Sequence, residues 1–247
     1  MHLHRNPRHH PHQMAAPIAR SAVMRVLNAL MAPMAATALA TTLGIIASPA
    51  HAGRPLSVDD AGLNDAGNGH IEVWWEGARG QRGTVYAAPA YAPTEGLEVA
   101  AVLARDAQEH HTLQGLQAKW QWSPSQSQGC NTASSAGVLH RLGSSGNTLA
   151  LNAIGSCAND WGNVHANLGA QRAPGQPWHP TWGLALEKAW GAATAHVEAF
   201  GERHNAPTFQ TGVRWEWEPQ GQKWQIDGTV GRQSGHTLLS VGFKRGF

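Results

Sequence analysis

The chain has 247 residues, 42% apolar, 14% charged and 7% aromatic, with 18 Lys and Arg against 16 Asp and Glu. That composition excludes a disordered chain, and the length suits one large β domain or one ordinary domain with appendages. The formal charge of +2 comes from the front: residues 1–52 hold all five methionines, four of the basic residues and no acidic one. Beyond Ala52 the balance is 14 basic to 16 acidic groups, which removes the clustered cationic surface that nucleic-acid binding needs.

Residues 1–52 read as an export signal. Arg5, Arg8, Arg20 and Arg25 form a basic front, an apolar stretch runs from about Val26 to Ala47, and Ala50-His51-Ala52 matches the small-residue pattern of signal peptidase. Met14 or Met24 would serve as a start leaving a more ordinary basic segment, and the early histidines would leave with the signal. After Gly53 no apolar run approaches 18 residues, so the rest crosses no bilayer as a helix. Residues 53–68 are rich in turn formers and lack periodicity, as expected of a periplasmic lead-in.

From Gly69 to Phe247 twelve segments alternate apolar and polar residues, near 69–77, 82–91, 96–106, 111–122, 134–142, 147–156, 160–171, 179–189, 192–203, 208–218, 222–231 and 236–247. In 208–218 one face carries Phe209, Thr211, Val213, Trp215 and Trp217, the other Gln210, Gly212, Arg214, Glu216 and Glu218. This is the period of a strand, not of a helix. One segment per about 15 residues leaves about ten for a strand and five for a turn, the spacing of a membrane barrel; sandwich strands are about half as long. The expected fold is therefore all-β, a transmembrane up-and-down antiparallel barrel of twelve strands, with ten to fourteen as the range, over residues 69–247.

Alternation alone does not separate a membrane barrel from a soluble periplasmic β module, which would turn the same apolar faces inward. Export favours the barrel, because only helices and closed barrels satisfy every backbone group in lipid. Strand parity, with a periplasmic N-terminus, puts Tyr91, Trp122, Trp161, Trp190, Trp217, Trp224 and Phe247 at one rim, as an interfacial aromatic girdle requires. Parity also puts Cys130 and Cys157 on that side, in or beside the links of their segments. They could form a disulfide there or stay as two thiols. In the last segment Leu239, Val241, Phe243, Arg245 and Phe247 share a face; Val241, Phe243 and Phe247 fit a C-terminal signal to the barrel-assembly machinery, and Arg245 departs from it.

The start Arg54-Pro55-Leu56-Ser57-Val58-Asp59-Asp60-Ala61-Gly62 carries a resemblance together with Ile71-Glu72-Val73-Trp74, His165-Ala166-Asn167-Leu168-Gly169, Thr181-Trp182-Gly183-Leu184 and the C-terminal ending. On these residues the chain resembles proteobacterial outer-membrane barrels grouped around the phenol-degradation MetA-like porins, over most of 53–247. The resemblance implies an outer-membrane barrel and a passive channel, without making phenol a substrate.

The expected lumen face collects Lys119, His165, Glu187, His196, Glu198, Arg214, Glu216, Asp227 and Lys244, with Gln117, Asn163, Asn167 and Gln225 between them. These either set the selectivity of a pore or fill the interior with ion pairs. An enzyme acting on lipid or lipopolysaccharide is the weaker alternative: Ser240 and His165 both read as lumenal, and no G-x-S-x-G occurs. Glu109-His110-His111 lacks metal-ligand spacing, and Asp59-Asp60 reads as a turn or a lead-in folded against the barrel mouth before it reads as a calcium site. No cofactor or metal is expected. The expected partners are outer-membrane lipid, the assembly machinery and an unidentified small solute.

Overall fold

The computed structural model describes residues 56–123 and 126–247, so the expected signal at 1–52 lies outside the described residues. The strands are β1 (Gly69–Ala78), β2 (Thr84–Thr94), β3 (Leu97–Asp106), β4 (Thr112–Gln121), β5 (Gly129–Arg141), β6 (Asn147–Asn159), β7 (Gly162–Arg172), β8 (His179–Trp190), β9 (Ala193–Glu202), β10 (Thr208–Trp217), β11 (Trp224–Gln233) and β12 (His236–Gly246). Each pairs with its neighbours in sequence, and β12 returns to β1, which closes an antiparallel barrel. The closing seam runs from His70↔Gly246 to Ala78↔Leu238. Beyond it, Gly69 and Phe247 exchange N–H···O bonds at 2.9 Å, so the last residue completes the ladder. Among the described residues no strand edge is left to be satisfied by solvent or lipid.

Most strand ends fall within three residues of the expected segments, and the exception is informative. β5 begins at Gly129, ahead of the expected start near Ser134, because Gln-Gly-Cys-Asn-Thr-Ala-Ser-Ser reads locally as turn chemistry. Pairing with β6 overrides that preference: Cys130 lies opposite Cys157, with Cα atoms 4.0 Å apart and a disulfide between them. Both cysteines are therefore strand residues, not residues of the links.

The alternation sorts side chains by polarity in the inverse of a soluble core. Val213, Trp215 and Ile226 are 54%, 53% and 47% exposed on the outer wall, whereas Lys119, Glu198 and Asp227 are 2%, 4% and 5% exposed within. Ile71, Leu103, Leu116, Leu151, Leu168, Leu184 and Val241 extend the apolar wall. Tyr91, Trp122, Trp161, Trp190, Trp217 and Phe247, all exposed, gather at the rim where β1 begins. At this rim Trp224 stacks on Trp217 at 6.3 Å, and the Arg245 guanidinium lies 4.9 Å from the Trp224 ring centre. Arg245 thus reinforces the girdle that an aromatic at its position would have extended.

The interior is not polar throughout. Trp74 and Tyr86 stack in parallel at 4.6 Å, and Ala88, Val102, Ala104, Leu113 and Leu139 pack around them inside the β1 to β5 sector. This apolar cluster lies toward the rim opposite the girdle, where β2 begins.

The disulfide joins residues 27 apart in sequence, a span for which cross-linking contributes about 2–4 kcal/mol. Replacing both cysteines by alanine should leave the barrel closed, since the register pairs from Asn131↔Ser156 to His140↔Asn147 still join β5 to β6. Its unfolding midpoint should fall, as read by the temperature at which the compact gel band disappears. Separate Cys130 and Cys157 peptides in a non-reduced digest of the native chain would refute the link.

Candidate functional site: the charged lumen

Of the expected lumen residues Lys119, His165, Glu187, His196, Glu198 and Asp227 are buried and Arg214, Glu216 and Lys244 partly so, and several meet partners on other strands. On β1 and β12, Lys244 Nζ lies 2.9 Å from Glu72 Oε1, and His70 Nε2 lies 3.5 Å from the same oxygen. On β7 to β10, Arg214 bridges Glu187 at 3.3 Å and Glu216 at 3.2 Å. His196 Nδ1 lies 3.2 Å from Glu198 Oε1 on the same strand. Asp227 lies buried where a side chain on Gly242 would stand, which explains why β12 carries glycine there. Lys119, on β4, faces none of the other expected residues within 4.0 Å; its carboxylate is Asp59, at 3.8 Å.

Asp59 belongs to the lead-in, and its position is what sequence reasoning missed. Leu56, Ser57, Val58, Asp59 and Ala61 are buried within the barrel. The segment crosses the lumen from the β8–β10 wall, past β5 to β7, to β1 and β3. Leu56 and Val58 pack on Ala185 and Phe200, and Ala61 packs on Ala133 and Ile154. Val58 also occupies the space beside Gly183, where a Cβ would come within 2.8 Å of it.

The segment joins no strand, so its backbone donors need side-chain acceptors. Ser57 N and Val58 N both donate to Glu198 Oε2, at 2.6 and 2.8 Å. Asp59 N donates to Asn167 Oδ1 at 2.7 Å, while Asn167 Nδ2 donates back to the Asp59 carbonyl at 2.8 Å. Ala61 N donates to Ser156 Oγ at 2.8 Å, and Asn64 N and Nδ2 donate to Glu98 Oε2 at 3.0 and 2.7 Å. Glu98, Ser156, Asn152, Gln210, His70 and Glu72 join the lumen set. Strand parity alone would have placed each of them inward, beside Glu187 and Glu198.

A hydroxyl, an imidazole and a carboxylate do line up here. Ser156 Oγ is 2.8 Å from His165 Nδ1, and His165 Nε2 is 3.3 Å from Glu187 Oε2. The Ser156 oxygen, however, also accepts the Ala61 N–H, and Glu187 is tied to Arg214. The row works as a brace from the lead-in to the wall. Ser240 pairs instead with Thr229 at 2.6 Å, so it and His165 do not form a pair. No cluster of three His, Cys, Asp or Glu suited to a metal occurs among the described residues.

A charge-paired lumen inside an apolar closed wall is the arrangement of a membrane barrel, and known proteins match it in fold, while the family matched is not the MetA-like porins. The chain belongs to the family described as uncharacterised conserved protein UCP029691, whose model matches residues 41–237. No curated protein matches it. Among solved structures it is similar to the KdgM porin in complex with disordered oligogalacturonate, at 14% identity and a TM-score of 0.61, covering 71% of this chain and 97% of the porin. A second structure of the KdgM porin matches at 12% identity and a TM-score of 0.58 over the same shares. At these identities the likeness is one of fold, a porin-like closed barrel.

Lys119 is the cation on which the lead-in's carboxylate depends. Lys119→Met should cost about 3–5 kcal/mol by leaving Asp59 buried and unpaired. Adding Asp59→Asn should recover much of that loss, measured by urea unfolding of the refolded barrel in micelles.

Proposed function

We propose that this chain is exported through a signal cleaved after Ala52, assembles in the outer membrane and serves there as a narrow passive channel for small solutes. One observation carries the reading: the closed barrel exposes Val213, Trp215 and Ile226 on its outer wall while Lys119, Glu198 and Asp227 are buried inside. A soluble module would need the reverse, because about 25 cal/mol per Å² favours removing apolar surface from water. In lipid the same wall is at rest, and the aromatic rim sits at headgroup level.

In this reading Lys119, His165, Glu187, His196, Glu198, Arg214, Glu216, Asp227 and Lys244 line the passage, joined by Glu72 and Glu98. Val241, Phe243 and Phe247 present the last strand to the assembly machinery. Carboxylates outnumber Lys and Arg in this lining, so it offers no surplus of cations for a polyanion, and the oligogalacturonate bound by the KdgM porin is not carried over as the solute. The finer resemblance to phenol-degradation MetA-like porins rests on the short motifs and supports passive transport without naming a solute. A second reading, a structural membrane protein with a filled interior, is favoured by the buried lead-in and the Trp74–Tyr86 cluster.

Conductance separates the two readings, and the other measurements test the membrane barrel they share. The purified chain should fractionate with outer membranes and shift its gel mobility on heating. Val213→Arg should destabilise the folded form in bilayers by about 2–4 kcal/mol, whereas a water-facing site would tolerate it. Planar bilayers should show discrete ion conductance; a folded, heat-modifiable barrel that never passes current would leave the structural reading.

A further inference from the structure

Four of the buried lumen carboxylates fall into two kinds. Glu72 and Glu187 face Lys244 and Arg214, as buried acids in a closed wall should. Glu98 and Glu198 have no Lys or Arg within 4.0 Å among the described residues. Their oxygens face backbone N–H groups of the lead-in, with His196 and Gln210 beside Glu198. Asn167 pairs with both the N–H and the carbonyl of Asp59, the two-point contact that one strand makes with another. Ser156 supplies another acceptor and is held in place by His165. β3, β6, β7 and β9 thus each contribute an acceptor along one main chain that bends at Ser57, Val58 and Ala61, and Gly183 leaves the room that Val58 fills. Carboxylate acceptors of this kind bind N–H groups about twice as strongly as neutral ones do.

We propose that the lumen wall contains a peptide-binding site. It reads a bent segment outside any sheet through its main-chain N–H groups, and residues 56–64 occupy it as a closure that exchanges with the same sequence supplied in trans. The segment is suited to exchange. It is held by side chains instead of a strand ladder, and the exposed residues Asp65 to Asn68, with Gly67 at φ 86°, link it to β1. The closure half of the proposal rests on the channel reading; the binding half does not.

The test uses the full chain. Cys130 and Cys157 are disulfide-bonded, so Val58→Cys introduces the one free thiol, at a position 1% exposed. A charged, impermeant maleimide should label it at least tenfold more slowly than it labels the unfolded chain. An excess of a synthetic peptide spanning residues 54–66 should raise that rate several-fold, and a scrambled peptide should not. In the Val58→Cys, Glu198→Ala variant labelling should be fast without any peptide.

A second variant, Val58→Cys with Gly183→Cys, should lock the segment when oxidised. Single-channel current should then fall at least tenfold and return on reduction, with reduced wild type as the control. Rapid labelling of Val58→Cys, or protection that the peptide leaves unchanged, overturns the site. An oxidised lock that conducts as well as the reduced form overturns the closure. Labelling that follows the peptide while no form conducts supports the binding site and refutes the channel, so the two failures are distinguishable.

Discussion

The structure depends on one constraint, that charge turned into a narrow, closed cylinder must be answered within it. The outer wall settles nothing about the interior, because Val213, Trp215 and Ile226 would face outward whatever lay opposite them. Inside, the cost of holding an ion away from water is several kcal/mol, and it is met only by an opposite charge or by good donors. Glu72 with Lys244, Glu187 with Arg214 and Asp59 with Lys119 are the ionic answers. Glu98 and Glu198 are answered by amide N–H groups, and those groups come from a segment outside the wall.

The lead-in is bound by the same constraint from the other side. A stretch of backbone that enters the lumen without joining the sheet brings donors that water would otherwise satisfy. Each such donor adds only about 0.5–1.5 kcal/mol when paired, but costs more when buried alone. Wall and segment therefore complete each other's hydrogen bonding: remove the segment, and Glu98, Glu198 and Lys119 need water or a substitute ligand. The small side chains in between, Ala61, Ala185 and Gly183, let the chain pass close enough for those bonds to form.

The architecture was legible from residues 69–247 because its signal is periodic and repeated. Each strand shows alternation independently, and one side chain in two must face the lumen, so Lys119, Glu187, Glu198 and Asp227 could be assigned without neighbours. Where local chemistry opposed pairing the signal failed: the Ser- and Gly-rich start of β5 became strand only through its partner β6 and the Cys130–Cys157 pair. Trp74 and Tyr86 escaped because alternation gives a face but not its company, and the apolar cluster around them needs five strands in register. The lead-in was the least legible. Arg-Pro-Leu-Ser-Val-Asp-Asp-Ala-Gly has no period, and each of its contacts in the lumen lies more than thirty residues away apart from His70.

The two fillings of the interior also differ in kind, and the difference bears on function. The Trp74–Tyr86 cluster is built from strand residues, so it cannot leave without breaking the wall. Residues 56–64 join β1 through an exposed four-residue link, and their grip combines side-chain hydrogen bonds, the Asp59–Lys119 ion pair and the packing of Leu56, Val58 and Ala61, none of it part of a strand ladder. The cluster narrows the barrel toward the rim opposite the girdle, while the segment spans the lumen from the β8–β10 wall to β1 and β3. In the channel reading proposed above the segment lies across the lumen, so its residence time, more than the strand number, would set how often the passage is open.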